Sequence, residues 1–94
     1  MKRFSVITDD MDHCYICGRN RECLHEVFYG TANRKLSIKY GMVIPLCNFH
    51  HNMSDMGIHF NYFLDTKVKQ EAQYRFNEVY PDLDFLQIFG KNYL

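Results

Sequence analysis

The spacing of apolar residues in the last third of the chain predicts a long helix over residues 61–80. Glu71 and Arg75 lie on its polar side, spaced to form an i, i+4 ion pair. Pro81 ends the helix, because proline cannot continue it. The apolar residues recur every three or four positions, as expected when one helical face packs on a core; they are Phe60, Phe63, Leu64, Val68, Ala72, Phe76 and Val79.

The middle of the chain predicts shorter elements. Residues 22–28 are compatible with a short strand, and the apolar run 42–46 predicts a second one. Between them a helix is expected to begin at Thr31, acting as its cap, and to continue to about Tyr40. Gly41 is the expected stop. The pattern therefore predicts an α+β domain in which a helix is inserted between two strands.

Short elements are also expected near both ends of the chain. Phe4, Val6 and Ile7 are compatible with a short strand, and the acidic residues that follow read as a turn. At the other end, Asp82 is positioned to cap a last helix that runs to about Phe89.

Composition and charge restrict the class of protein. The chain has 94 residues, 47% of them hydrophobic, which fits one globular domain. Eleven basic residues balance eleven acidic ones, which argues against a protein that holds nucleic acid by bulk charge. An enzyme that reaches phosphate through a metal and a local basic patch remains compatible. The densest such patch is Arg34, Lys35 and Lys39 on the inserted helix.

The four cysteines are expected to bind metal and not to form disulfides. Met1 is followed by Lys2 and Arg3, and no apolar run of signal-peptide length comes after them. No stretch approaches the roughly 18 apolar residues of a membrane span. The cytoplasm is therefore the expected compartment, and cytoplasmic cysteines are more often metal ligands than disulfides.

Two pairs of residues with identical spacing predict a structural zinc site. Cys14 and Cys17 form one pair, and Cys47 and His50 form the other. Tetrahedral zinc takes four sulfur or nitrogen ligands, which chains commonly supply as two close pairs. Reduced core cysteines are the alternative for a single pair, and two matched pairs disfavour it. Cys23 is expected to be a small buried residue, although it could substitute for one of the four.

The remaining histidines suggest a second metal site. His51 follows His50 directly, and neighbouring side chains do not easily face one ion, so His51 should point elsewhere. His25, at the predicted first strand, and His59 could join it. Neutral imidazoles suit a divalent transition metal. His13 has no such support and is expected to be incidental.

Three blocks of sequence carry a resemblance to a known family. They are HEVFYGTANR at residues 25–34, LCNFHHN at 46–52 and GIH at 57–59. With the zinc pairs, they resemble HNH endonucleases that carry a structural zinc, and especially small HNH-type proteins of phages and prophages of Gram-positive bacteria. A looser similarity is to the phage recombination enhancement function (Ref) nucleases. The resemblance spans about residues 14–94.

The resemblance implies a fold and an activity. The fold is a small zinc-stabilised ββα-metal (His-Me finger) core over residues 14–60, preceded by an extension over 1–12 and followed by C-terminal helices over 61–94. The activity is metal-dependent hydrolysis of DNA phosphodiester bonds. The implied partners are DNA, a phage or host recombination protein and a second copy of the chain, in the cytoplasm of a bacterial host.

The resemblance also implies roles for individual residues. Either His25 or Glu26 would be the general base, and both would be catalytic together with His51. Asn33, Arg34 and Lys35 would contact substrate. The structural zinc ligands would be Cys14, Cys17, Cys47 and His50, and a catalytic Mg²⁺, Mn²⁺, Ni²⁺ or Zn²⁺ would be held by His25, His51 and His59.

Two positions depart from the family pattern. Met42 stands near the place where an asparagine that orients the base is expected, and methionine cannot do this. Glu26 stands where many members have the histidine base, and a carboxylate is a weaker base than an imidazole. The alternative is therefore a non-catalytic zinc module that binds DNA or a host protein.

Overall fold

The computed structural model describes residues 3–54 and 56–94, which form a two-stranded sheet and four helices. This arrangement confirms the predicted α+β class. In chain order the elements are β1 (Cys23–Glu26), α1 (Thr31–Tyr40), β2 (Val43–Leu46), α2 (Asn48–His51), α3 (Tyr62–Val79) and α4 (Phe85–Phe89).

The sheet is an antiparallel pair, with α1 inserted between its strands as predicted. His25 lies opposite Ile44, and Cys23 lies opposite Leu46. All four residues of β2 are buried, so this strand runs through the core. Because Leu46 is followed directly by Cys47, the pairing brings that cysteine beside the start of β1.

Helix α1 begins without the side-chain cap that the sequence suggested. Gly30 is the N-cap residue, with φ of 98°, and no side chain bonds to the helix start, so the prediction that Thr31 caps it is wrong. Glycine adopts this positive φ without the steric penalty that a Cβ atom imposes. The helix ends as predicted at Gly41, in the left-handed conformation.

Aromatic rings join the C-terminal helices to the rest of the core. The ring centroid of Phe76 in α3 lies 5.3 Å from Phe85 and 5.9 Å from Phe89, both in α4. It also lies 5.5 Å from Tyr40 of α1. Phe28, just after β1, is 5.1 Å from Phe85. Tilted and edge-to-face pairs of this kind add about 0.5–1.5 kcal/mol each beyond the burial of their area.

Helix α3 matches the predicted 61–80 segment, but its buried face is narrower. Asn61 is the N-cap, and its side-chain oxygen accepts the Leu64 N–H at 3.0 Å. Three residues predicted on the buried face are exposed: Phe60, Phe63 and Val79. The residues of α3 that are buried are Val68, Ala72, Gln73 and Phe76, and Leu64 packs partly buried against the core as predicted.

The predicted ion pair on α3 is also wrong. Glu71 accepts a hydrogen bond from the Tyr15 hydroxyl at 2.9 Å, so its carboxylate is turned toward the first cysteine pair. Arg75 donates instead to Glu78 at 3.1 Å and to the Val6 carbonyl at 3.1 Å. Glu71 therefore has a tertiary partner, whereas Arg75 has a different local partner, Glu78, and a tertiary bond to Val6. An exposed helical pair of the predicted kind contributes only about 0.2–0.5 kcal/mol.

The strand expected at Phe4, Val6 and Ile7 is not formed. The Ser5 hydroxyl accepts the backbone N–H groups of Ile7 and Thr8, at 3.0 and 3.2 Å. This local bond bends the chain and competes with strand pairing.

The last helix begins two residues later than predicted. Asp84, and not Asp82, is its N-cap, and its carboxylate accepts the Leu86 N–H at 3.1 Å. The predicted stop at Gly90 is confirmed by its left-handed conformation.

We expect Ser37→Ala to destabilise the fold by about 1–3 kcal/mol, because it leaves two buried backbone groups without partners. The Ser37 hydroxyl is buried, donates to the Phe28 carbonyl at 2.7 Å and accepts the Phe28 N–H at 3.1 Å. Urea unfolding of the metal-loaded protein measures the change. Thr31→Ala is the control and should change stability by less than about 0.5 kcal/mol; a larger loss would restore Thr31 as the helix cap.

Candidate metal centres

The first metal centre begins in a tight turn. Cys14, Cys17, Cys47 and His50 come together, and we call these four residues the thiolate cluster. In the turn that carries the first two, the Gly18 N–H donates to the Cys14 carbonyl at 2.9 Å, and Gly18 has φ of 79°. Glycine at this position lets the chain reverse immediately after the second cysteine.

The second half of the thiolate cluster comes from the end of the sheet. Cys47 follows β2 directly and is the N-cap residue of α2, and the His50 N–H donates to its carbonyl at 3.2 Å. The Tyr15 N–H donates to the Pro45 carbonyl of β2 at 2.8 Å, which fixes the first turn beside the strand. Backbone hydrogen bonds therefore bring the Cys14–Cys17 pair beside the Cys47–His50 pair.

The distances within the thiolate cluster suit tetrahedral coordination. Its four ligand atoms all lie within 4.8 Å of one another. The Cys17 and Cys47 sulfurs are 3.6 Å apart, and the Cys47 sulfur is 3.4 Å from Nδ1 of His50. A tetrahedral ion with bonds of about 2.3 Å to sulfur and 2.0 Å to nitrogen gives edges of about 3.8 and 3.5 Å. All four cysteines of the chain are free thiols. The geometry is thus compatible with a structural metal site.

The thiols of this cluster have opposed ionisation tendencies. Burial raises the pKa of the Cys14 thiol, but backbone N–H groups of Cys47, Cys17 and Ile16 outweigh it, so the net pKa is lowered. Burial and the neighbouring thiols raise the pKa of Cys47. Several thiolates close together in a buried place repel one another, and this repulsion raises their pKa values so that they remain protonated thiols. A bound cation balances the negative charge and allows all of them to ionise.

Two residues named from the sequence lie outside the cluster. Cys23, in β1, is half-buried, and its sulfur is 3.4 Å from the Leu46 carbonyl. Burial raises the pKa of this thiol, followed by the charges of Cys14 and Cys47. His13 is exposed, and its Nδ1 lies 2.9 Å from the Asp10 carboxylate. Within the described part of the chain, neither belongs to a group of metal-ligand atoms.

A second group of ligand atoms is formed by His25, His51 and His59, which we call the histidine cluster. His25 is the third residue of β1, and His51 is the last residue of α2. The His59 N–H donates to the His51 carbonyl at 3.2 Å, which holds the returning loop against α2. Gly57 is required there, since a Cβ atom would lie 2.8 Å from the His51 oxygen.

The three imidazoles converge on one point. Their ring centroids are 5.4 Å apart for His25 and His51, 5.1 Å for His25 and His59, and 4.7 Å for His51 and His59. The Nε2 atoms of His51 and His59 are 3.0 Å apart. Two nitrogens at about 2.1 Å from one ion are about 3.0–3.4 Å apart when the angle between them is 90–110°. The separation therefore fits two ligands of a single ion.

The environment of His25 favours a neutral, ligating imidazole. The residue is 2% exposed, and its buried Nε2 has no hydrogen-bond partner among the described residues. Burial, then the charges of His59, His51 and Lys69, lowers the pKa of His25 to about 3. Burial and His59 also lower the pKa of His51. A buried ring nitrogen without a partner is costly unless a ligand satisfies it.

The histidine cluster opens into a cavity of about 290 Å³ that has charged walls. The Glu26 carboxylate lies there, 3.4 Å from the Arg3 guanidinium and 3.8 Å from Nε of Arg34. Tyr29 forms another wall, and its ring centroid is 5.4 Å from that of His59. An acceptor and two guanidinium groups thus surround the space in front of the imidazoles.

Other residues named from the sequence have different surroundings. The Asn33 side-chain amide donates to the Phe89 carbonyl at 3.4 Å, so it supports the end of α4. Lys35 is exposed and lines a separate depression with Gly30 and Thr31. Met42 is fully buried in the core. Of the three residues expected to contact substrate, Arg34 alone is among those that line the described histidine cavity.

Sequence reasoning missed two residues of this cavity, Arg3 and Tyr29. Arg3 precedes every predicted element, so its position depends on how the chain packs as a whole. Tyr29 belongs to the block 25–34, but nothing in its spacing distinguished it from a core aromatic residue.

The chain has no match among models of protein families, curated proteins or solved structures. Within residues 3–54 and 56–94, the helices are too short or too polar to cross a lipid bilayer.

We expect Cys14→Ser and Cys47→Ser to lose tightly bound metal and to unfold, because metal binding at such a site supplies folding free energy directly. Metal content per chain and circular dichroism check this. Cys23→Ser is the matched control, since its hydroxyl can still donate to the Leu46 carbonyl, and it should retain both metal and fold. Loss of metal in Cys23→Ser would place that thiol among the ligands.

We expect acid to destabilise the wild type more steeply than His25→Gln. Above pH 6.5, the ordinary imidazole value, His25 is neutral in both the folded and unfolded states. Below pH 6.5, His25 binds a proton in the unfolded chain but stays neutral in the folded chain, where its pKa is about 3. The free energy of unfolding therefore falls by about 1 kcal/mol per pH unit. Urea unfolding at pH 7, 6 and 5, with no divalent metal beyond that of the thiolate cluster, measures the difference. If the free energy of unfolding fell with pH equally in the wild type and in His25→Gln, His25 would not be a buried neutral residue.

Proposed function

We propose that this protein is a metal-dependent endonuclease of the HNH type that hydrolyses phosphodiester bonds in DNA. The observation that carries the proposal is the histidine cluster: three imidazoles converge apart from the thiolate cluster, and one of them presents a buried nitrogen that has no hydrogen-bond partner among residues 3–54 and 56–94. A structural metal alone has no use for this second set of ligands. The resemblance of the three sequence blocks to HNH proteins points to the same chemistry.

We assign zinc to the thiolate cluster. Three sulfurs and one nitrogen are typical of structural zinc sites, and the observed separations fit its tetrahedral edges. For the histidine cluster, three neutral nitrogen ligands favour Ni²⁺ or Zn²⁺ over Mg²⁺ and Mn²⁺, which prefer oxygen. An ion there would leave coordination positions free, and it would supply Lewis-acid stabilisation of a phosphoryl oxygen and a water of lowered pKa.

The residues around the cavity would then supply the general base and the groups that bind phosphate. The position of His25 in the histidine cluster favours a ligand role, which leaves Glu26 as the general base that accepts the proton of the attacking water. Arg3 and Arg34 border the same cavity as Glu26, and their guanidinium groups would bind phosphate oxygens as charge-assisted donors. A phosphate that enters between them would also compete for their ion pairs with Glu26 and free that carboxylate.

The setting of this activity rests on the resemblance alone. It favours an origin in a phage or prophage, a role in recombination or another form of DNA processing, and action in the cytoplasm of the bacterial host. A recombination protein and a second copy of the chain are the partners that it suggests.

A second candidate function is a non-catalytic metal module that binds DNA or a host protein. Met42 favours it, because this fully buried side chain cannot orient a base as the family asparagine does. The ion pairs of Glu26 favour it as well, since two guanidinium groups hold the carboxylate. On this alternative the histidine cluster retains its metal and the chain does not cut.

We expect nicking of supercoiled plasmid when Ni²⁺ or Zn²⁺ is added to the zinc-loaded protein, with weaker activity in Mn²⁺ or Mg²⁺. His51→Ala should abolish nicking, because it removes a ligand. Glu26→Gln should lower the rate about 10²- to 10⁴-fold, as loss of a general base does. His13→Ala, at an exposed histidine outside both clusters, is the control and should match the wild type. Absence of nicking with every metal would favour the non-catalytic module.

A further inference from the structure

A cleft of about 200 Å³ lies between the first half of α3 and the last residues of the chain. We call it the tail cleft. Its walls include Tyr62, Asp65, Lys69, Lys91, Asn92 and Tyr93. It is separate from the cavity of the histidine cluster, and the roles assigned above use none of these residues.

The tail cleft concentrates positive charge in a chain whose net charge is zero. Nζ of Lys91 and Nζ of Lys69 lie 5.2 and 5.5 Å from the centre of the Tyr93 ring. Asp65 is the one carboxylate among the residues that line the described cleft, and it is 2.9 Å from Lys69. It also accepts the Tyr29 hydroxyl at 3.2 Å. Two ammonium groups against one shared carboxylate leave the cleft net positive.

The end of the chain is held in place as a wall of this cleft. Gln73, buried in α3, donates to the Asn92 side chain at 2.7 Å and accepts the Tyr93 N–H at 2.8 Å. Gln70 donates to the Tyr93 carbonyl at 3.0 Å. The Tyr93 ring packs 5.3 Å from that of Phe28. These contacts hold Asn92 and Tyr93 against α3 and give the cleft a fixed shape.

Tyr29 connects the tail cleft to the histidine cluster. Its ring centroid is 5.4 Å from that of His59, and Nζ of Lys69 is 4.4 Å from the same centroid. The two distances together keep the Lys69 ammonium within about 10 Å of the His59 ring. One strand of duplex DNA carries a phosphate every 3.4 Å or so along the helix axis. A strand bound at the imidazoles therefore reaches Lys69 within about three nucleotides.

The rim of the tail cleft presents exposed aromatic rings. Tyr62 is 77% exposed and Phe63 is 83% exposed, and their ring centroids are 6.0 Å apart. Aromatic side chains beside a basic groove are the combination that binds single-stranded nucleic acid, because every base has a face that can stack. Stacking also supplies affinity that does not depend on net charge, which suits a chain that lacks a basic excess.

We propose that the tail cleft binds the nucleic acid strand beside the cleaved phosphate, with a backbone phosphate at Lys69 and Lys91 and an unpaired base on Tyr62. This inference rests on the proposed function where it makes the histidine cavity the place of cleavage. The substrate class that follows is DNA with a single-stranded segment next to the cut.

Binding of a fluorescent oligothymidine of about a dozen nucleotides to the zinc-loaded protein, without other divalent metal, tests the proposal. Tyr62→Ala should weaken binding about fivefold or more, as loss of one stacked base does. Lys91→Gln should weaken binding and reduce the slope of log K against log salt by about 0.7, the value for one phosphate of a single strand. A duplex of the same length should bind more weakly.

Two matched controls occupy similar environments away from the cleft. Lys67→Gln removes an exposed lysine of α3 that lines a different depression, beside Tyr15 and Glu71. Tyr74→Ala removes an exposed tyrosine of the same helix, twelve residues and about 18 Å beyond Tyr62. Both should bind the oligonucleotide as the wild type does.

The outcomes separate the two proposals. If the wild type nicks plasmid while Tyr62→Ala and Lys91→Gln bind the oligonucleotide as well as their controls do, the proposal for the tail cleft is wrong and the nuclease proposal stands. Tighter binding of the duplex than of the single strand also overturns the cleft. If both variants lose affinity and no metal supports nicking, the cleft stands as a binding site and the nuclease fails. Absence of binding together with absence of nicking overturns both.

Discussion

The divergence of two consecutive histidines is the constraint on which the rest of this structure depends. His50 and His51 belong to the same single turn of helix, α2, and their imidazoles join different clusters. Successive residues of a helix point about 100° apart, so one turn can serve both clusters only if it lies between them. The sheet and the turn after β2 hold α2 in that position. A metal at the thiolate cluster would therefore also fix the ligands of the histidine cluster.

The loop after α2 extends this dependence to the third imidazole. Its residues Ile58 and His59 donate their N–H groups to the carbonyls of His50 and His51, at 2.7 and 3.2 Å. Gly57 permits the close approach. His59 thus has no independent support in a strand or a long helix, and its place follows from α2. Loss of the thiolate cluster should for this reason scatter the histidine cluster, although the two share no ligand.

Much of the fold and of both clusters could be predicted from local spacing. Matched pairs of ligands and a long periodic segment are properties of nearby residues, and α1, β2 and α3 were anticipated for that reason. The predictions that were wrong concern side chains and segments whose expected contacts were replaced, either by partners from distant parts of the chain or by other local hydrogen bonds. Glu71 accepts the Tyr15 hydroxyl instead of pairing with Arg75, and Arg75 donates to the Val6 carbonyl. Sequence spacing contains no information on such distant partners.

The same limit applies to net charge. A balanced count of acidic and basic residues describes the whole surface, whereas phosphate would meet only the groups within a Debye length of about 8–10 Å. Arg3 and Arg34 lie by the histidine cluster, and Lys69 lies across Tyr29 from it. These residues come from three distant parts of the sequence, so only the fold brings them near the imidazoles. On the proposed function, zero net charge would weaken the long-range attraction of nucleic acid, and aromatic stacking would supply affinity that does not depend on charge.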